Sequence, residues 1–348
     1  MSQPLLDTIA GRPTTRRPVW FMRQAGRSLP EYRAAREGIA MLDSCFMPEL
    51  LAEITLQPVR RHDVDAAILF SDIVVPLKAA GQDIEIVPGR GPVVAQAIRS
   101  ASDVANLPIL DTEIPELAQG IGIINEELTA QQMLIGFAGA PFTLASYLVE
   151  GGPSRNHEKT KAMMYSDPES WHALMRRLVP TIQNFLAQQI AAGVQAIQLF
   201  DSWAGYLSER DYRRFVLPYS TEILESVSEV PRIHFGVGTA ELLTAMSEAG
   251  SEVMGVDWRT PLDVAAPRFA SPRVLQGNLD PAVLFTGEAA LRQEIERICA
   301  EADAAIAAGD ATGHIFNLGH GVLPDTDPDA ITRAVAMIHE CQPYNPAS

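Results

Sequence analysis

The chain has 348 residues, of which 27 are Lys or Arg and 43 are Asp or Glu, giving a formal net charge of −16. With 47% hydrophobic and 20% charged residues it has the composition of a packed globular protein, not of a disordered one. So acidic a balance argues against nucleic acid and anionic membrane surfaces, which need a positive field, and by the same logic against a polyanionic small molecule.

At roughly 150 residues per domain the length suggests two domains, although α/β barrels commonly reach about 250 residues or more as one. Cys45, Cys299 and Cys341 stand far apart, with no Cys-x-x-Cys and no even framework, which fits a reducing compartment. Residues 1–17 lack the apolar core of a secretory signal. The longest uncharged stretch, Leu128–Val149, contains Gln131, Gln132, Gly136, Gly139 and Pro141, so it reads as a buried strand plus loop and not as a membrane helix. A cytoplasmic protein without nucleic-acid or membrane partners is expected.

Eight short apolar runs recur: Pro18–Met22, Ala66–Phe70, Met133–Ala138, Ala196–Phe200, Arg232–Val237, Val253–Asp257, Val274–Gly277 and His314–Leu318. Most are apolar on both faces, which suits parallel strands covered on both sides. Helical periodicity fills the stretches between them. Leu174, Leu178, Ile182, Phe185 and Ile190 predict a helix over 170–192, opened by Asp167-Pro168 and stopped by Gly193. Leu291, Ile295, Ile298 and Ile306 predict another over 288–308, and Ile331, Val335 and Ile338 a third over 328–341. Segment 77–111 reads as an insertion, with Gly89-Arg90-Gly91-Pro92 as a turn between short strands. Eight strand–helix units favour a single (β/α)8 TIM barrel over an open doubly wound sheet, and no linker or composition change divides residues 1–348.

In such a barrel the chemistry lies in the loops after the strands' C-terminal ends. Arg23-Gln24-Ala25-Gly26-Arg27 follows the first run, Ser71-Asp72 the second, Gly139–Thr143 and then Tyr147 the third, and Asp201-Ser202-Trp203 the fourth. His234 and Gly236-Val237-Gly238 belong to the fifth, Asp257-Trp258 to the sixth, Gly277–Asp280 to the seventh and Gly319-His320-Gly321 to the eighth. Arg23 and Arg27, four apart, would repel on a helical turn by roughly a few tenths of a kcal/mol. They fit either an arriving carboxylate or phosphate, or bridges to local acids such as Glu31. Asp72 precedes Ile73-Val74-Val75-Pro76, where a carboxylate is costly unless partnered. It is either a turn cap or an acceptor for ligand N–H groups beside a developing positive charge. Glycines around His320 allow close backbone approach and suit a ligand-facing histidine, whereas His234 reads as a core or wall residue.

Other familiar sites fail on spacing. No Gly-x-Ser-x-Gly surrounds Ser202, so a serine nucleophile is not expected. Gly236-x-Gly238 opens like a dinucleotide fingerprint, but Glu241 at the sixth position would repel pyrophosphate. The seven histidines and three cysteines lack metal-ligand spacing.

The segments Pro18–Arg27 with Leu29–Arg33, Phe70–Ile73, Gly136–Thr143, Tyr147 with Glu150-Gly151-Gly152, Phe200–Gly205, Gly255–Trp258, Gln276–Pro281 and Phe316–Gly321 are similar, in order, to the motifs of the uroporphyrinogen decarboxylase family. The resemblance runs from about residue 5 to the C-terminal helix. One departure is Ser28, where the family usually has a bulkier aromatic residue, which touches loop packing more than chemistry. The resemblance implies a (β/α)8 barrel, usually a homodimer, that needs no cofactor or metal. It implies removal of carbon dioxide from the four acetate side chains of uroporphyrinogen III, leaving the methyl groups of coproporphyrinogen III. The substrate-binding residues carried over by motif are Arg23, Gln24, Ala25, Gly26, Arg27, Asp72, Tyr147, Ser202 and His320, with Asp72 and Arg23 as catalytic residues.

That chemistry wants those residue types. Decarboxylation leaves an electron pair that a pyrrole accepts only after its ring carbon is protonated, and a desolvated Asp72 would stabilise the resulting cation. Arg23 and Arg27 would hold substrate carboxylates, with Arg23, Tyr147, His320 or water as the proton source. Corrinoid-dependent methyltransferases of the same superfamily bind zinc through His-x-Cys after a barrel strand, but here the segment reads His234-Phe235-Gly236. A tetrapyrrole-binding protein without turnover is the other alternative. An eight-carboxylate substrate also sets the net-charge argument aside, because a few arginines at a pocket outweigh distant, salt-screened charge.

Overall fold

The computed structural model describes residues 3–344. Among them are nine strands: β1 (Ala66–Ile68), β2 (Ile84–Val87), β3 (Gly91–Val94), β4 (Met133–Gly139), β5 (Ala196–Asp201), β6 (Arg232–Gly236), β7 (Val253–Gly255), β8 (Arg273–Leu279) and β9 (Ala311–Leu318). Seven of them form one parallel sheet in the order β1-β4-β5-β6-β7-β8-β9, so each strand pairs with the next of the series. The helices Pro168–Ala192, Glu288–Ala308 and Pro328–Glu340 fall where the apolar periodicity puts them, and Gly193 and Gly309 end the first two in left-handed conformation. The fold is α/β.

Segment 77–111 follows β1 and contains the antiparallel hairpin β2–β3. Its turn closes with Arg90 N–H donating to the Val87 carbonyl at 3.0 Å. Gly89 and Gly91 take φ of 75° and 96°, which only glycine adopts without strain. The uncharged stretch 128–149 resolves into buried β4 and the helix Pro141–Glu150. No helix among the described residues is long and apolar enough to cross a membrane.

Pro18–Met22 departs from expectation. It makes a single β-bridge, Val19 to Phe316, instead of a full ladder. Side chains replace the missing backbone bonds. On the β9 side, Phe316 N–H donates to the Pro18 carbonyl at 2.8 Å, and the Asn317 side chain accepts from Met22 N–H at 3.0 Å. On the β1 side, Asp65 N–H donates to the Val19 carbonyl, while the buried Asp65 carboxylate accepts from Val19 N–H at 2.8 Å. With a carboxylate where the next strand's carbonyl would stand, the regular ladder stops.

The sheet is strongly curled. Gln276 on β8 donates to Gln198 on β5 at 2.9 Å, and Trp20 donates to Gln276 at 3.2 Å. Side chains stand roughly perpendicular to a sheet, so residues three strands apart meet only across a concave face. Alternate residues on each strand enter an inner apolar cluster that includes Trp20, Ile68, Ile135, Ile233 and Ile315, while their neighbours join the larger core under the helices.

Candidate active site

The Arg23 loop is built by Gln24. Its buried side chain accepts from Phe21 N–H at 2.9 Å and donates to the Ala66 carbonyl at 2.9 Å, tying the turn to the start of β1. Gln24 N–H donates to the Phe21 carbonyl at 3.0 Å. Closing so tight a turn places Arg23 at φ 61°, a left-handed conformation that costs a non-glycine residue about 1–3 kcal/mol. The loop therefore presents Arg23 and Arg27 outward while Gln24, expected among the substrate contacts, has its side chain committed to the scaffold. Ala25 and Gly26 are half-buried, and Ser28 is buried with no partner for its hydroxyl. Glu31 does not bridge the arginine pair: it accepts from Arg61 at 3.0 Å. Among the described residues neither Arg23 nor Arg27 has an ion-pair partner.

Asp72 lies just beyond β1. One of its oxygens accepts from Val74 N–H at 3.0 Å, so it does cap its own turn. Burial nevertheless pushes its carboxyl above the usual range, against the opposing pull of that hydrogen bond and of the Arg23 charge. Tyr147 stands on the helix Pro141–Glu150, one turn after Thr143, with its phenol raised by burial and by the Asp72 charge and lowered by Arg23. Its ring lies against Trp203, centroids 4.0 Å apart. Arg23 and Arg259 also lower His320, after burial as the main cause. His320 Nδ1 accepts from Gly321 N–H at 2.7 Å, so its neutral ring carries the proton on Nε2. Asp72, Tyr147 and His320 thus all feel the charge of one residue, Arg23.

The two glycines beside His320 have identifiable neighbours. A Cβ on Gly319 would run into the Trp258 backbone, and one on Gly321 into the stem of Arg23. Ser202 is half-buried after β5, between buried Asp201 and Trp203. His234 is a core residue, with Nδ1 3.4 Å from the Met246 carbonyl and its pKa pushed down to about 4 by burial. At Gly236-x-Gly238 the Gly238 amide donates to the Asp257 carboxylate, which leaves no anion site there.

Three side chains beyond those carried over by motif adjoin the site. Trp203 backs Tyr147. Asp201, fully buried, accepts from Thr143 at 3.0 Å, and burial raises it to about 7. Arg259 pairs with Asp257 at 2.8 Å and lies 3.8 Å over the Trp258 ring, beside His320. All lie at or shortly after strand ends, so position along the chain was an available signal, but the contacts of Asp201 with Thr143 and of Trp203 with Tyr147 join distant segments and leave no local spacing.

The family model described as uroporphyrinogen decarboxylase (URO-D) matches residues 1–341. The chain belongs to the uroporphyrinogen decarboxylase family. A relative from Corynebacterium diphtheriae called uroporphyrinogen decarboxylase is 77% identical over 339 residues, covering 97% of this chain and 98% of its own. Those of Corynebacterium glutamicum (strain R) and Nocardia farcinica, with the same name, are 73% and 61% identical, each over 97% of this chain and 95% and 96% of their own. Among solved structures, a methyltransferase from Methanosarcina mazei superposes with a TM-score of 0.79 over 97% of both chains at 19% identity. That similarity concerns the fold alone. Family membership bears out the resemblance drawn from the strand-end motifs, and with it the carboxy-lyase class.

Proposed function

We propose that the chain removes carbon dioxide from the four acetate side chains of uroporphyrinogen III to give coproporphyrinogen III, using Asp72 and Arg23 as its catalytic residues. The observation that carries this reading is the meeting of a desolvated carboxylate, a free arginine and two neutral hydrogen-bond donors at the strand ends. Breaking the acetate C–C bond leaves an electron pair on the methylene carbon. A pyrrole takes it up only once a ring carbon has been protonated, and the ring is then cationic. Burial denies Asp72 the solvation its charge needs, so pyrrole N–H groups and a cationic ring supply what it lacks, most of all as the charge develops.

Arg23 and Arg27, which make no ion pair among the described residues, are available as forked donors to substrate carboxylates. Arg259 and Ser202 are further polar groups suited to hold propionates, and the backbone of Gln24, Ala25 and Gly26 shapes the arginine loop. A guanidinium, with a pKa above about 12, is a poor acid. Tyr147 is held above its usual range and serves as a hydrogen-bond donor, leaving His320 or bound water to deliver protons. The chemistry invokes no cofactor or metal.

Pro18–Met22, bonded to β9 on one side and to Asp65 on the other, supports a closed (β/α)8 barrel in a single domain with an insertion at 77–111. A cytoplasmic homodimer is proposed on the same family grounds. Incubating the protein with uroporphyrinogen III under reducing conditions should release carbon dioxide and yield the four-carboxylate product. Binding without release would favour a tetrapyrrole carrier, and bound zinc would favour a methyltransferase.

A further inference from the structure

Cys299 and Cys341 look unrelated in the sequence, yet the structure brings them together. The helices Glu288–Ala308 and Pro328–Glu340 are tied at two points. Arg292, two turns before Cys299, donates to Glu340, the residue before Cys341, at 2.8 Å. One nitrogen of the buried Arg17, Nη2, donates both to Asp303, one turn after Cys299, at 2.8 Å and to the Gln342 carbonyl, just after Cys341, at 3.1 Å. Arg292, Cys299 and Asp303 share one helix face, so the two ties bracket Cys299 and converge on either side of Cys341. Between these ties the two thiols lie near enough that each shifts the ionisation of the other.

We propose that Cys299 and Cys341 form an oxidisable dithiol, a modification site outside the constellation around Arg23. Cys341 is partly exposed and Cys299 is 5% exposed, which makes Cys341 the thiol that meets an oxidant first. The neighbouring Cys299 thiol, followed by the Arg17 charge, lowers Cys341 below the usual thiol range and favours its thiolate. The oxidant class is a hydroperoxide. The Cys341 thiolate attacks the peroxide oxygen, the O–O bond breaks, and the alkoxide leaves to become an alcohol, or water from hydrogen peroxide. Cys341 is now a sulfenic acid. Cys299 then attacks that sulfur, the S–S bond forms as the S–O bond breaks, and the departing hydroxide leaves as water with the Cys299 proton. Two thiols have lost two electrons and one peroxide has gained them. The product fastens the C-terminal helix to its neighbour and closes a long loop in the unfolded chain.

Treating the full reduced chain with hydrogen peroxide, then alkylating and mapping peptides without reductant, tests this. A Cys299–Cys341 linked peptide is expected within one chain, lost on reduction with dithiothreitol, together with a rise in Tm. Buried Cys45, whose thiol burial and the Asp72 charge push up, should stay free. Cys341→Ser should lose the link and gain resistance to peroxide, whereas Cys299→Ser should let Cys341 pick up two or three oxygens. Free thiols at both positions after treatment, earlier reaction of Cys45, links only between chains, or an oxidised form with lower Tm would each overturn the proposal.

Discussion

Gly321 lies flat against the aliphatic stem of Arg23: a methyl group there would come within 2.7 Å of Arg23 Cγ and closer still to Cδ. The glycine after His320 therefore serves the arginine more directly than the histidine. Gly321→Ala should displace Arg23 while leaving the fold in place. Because a displacement of about 1 Å can cost on the order of a hundredfold in rate, kcat/KM should fall about 10- to 100-fold with Tm nearly unchanged. Unchanged kinetics would show that Arg23 tolerates the shift and is not held to a working position.

Asp72→Asn separates stability from catalysis. Burial raises the Asp72 pKa in the fold, so the folded state holds a proton the unfolded chain has released. As pH rises above the ordinary aspartate range the charge then works against folding, fully so once pH exceeds the folded-state value. At neutral pH the asparagine variant should melt at the same or higher temperature and lose roughly 100- to 1000-fold in decarboxylation, the magnitude of a lost electrostatic stabiliser. A lower Tm with normal turnover would make Asp72 a structural turn cap.

Trp203 positions Tyr147 through ring contact at 4.0 Å. Trp203→Ala should lower kcat about tenfold or more, and Trp203→Phe should recover much of it, since a ring restores the packing. Tyr147→Phe keeps the ring and removes the donor. If Trp203→Ala still costs the same factor in a Tyr147→Phe background, the coupling between the two residues is absent.

Asp201 is fully buried and raised to about 7 against an ordinary 3.8. Its charge is thus a cost that appears as pH rises from about 4 to about 7 and is complete above that. Asp201→Asn should raise Tm relative to wild type at pH 8 and lose that advantage as pH falls toward 4.5. A Tm difference that does not vary with pH would mean that Asp201 does not titrate in this window.

Much of the fold was legible because a parallel sheet covered on both sides leaves continuous apolar runs. Seven of the eight runs became strands, and the helix ends followed their glycines. Pro18–Met22 carries the same apolar signal, but Asp65, distant in sequence, supplies the bond that ends its ladder. The site shows the same division. Arg23, Asp72, Tyr147 and His320 stand in recognisable segments, whereas the inward turn of Gln24 and the contacts of Trp203 depend on which strand ends become neighbours.

The net charge of −16 describes the whole surface, and as sequence arithmetic it argues against anionic partners. Only the folded chain shows that the local balance can differ, because Glu31 turns to Arg61 and, among the described residues, Arg23 and Arg27 make no ion pair. The sequence by itself determined seven of the sheet's strands, the three long helices, the strand-end motifs and the family, since these rest on local pattern and order. The tertiary structure decided the environment of Asp72, the support of Arg23 by Gly321 and the nearness of Cys299 to Cys341. Burial and charge act through space, and neighbours in space are set by the curl of the sheet.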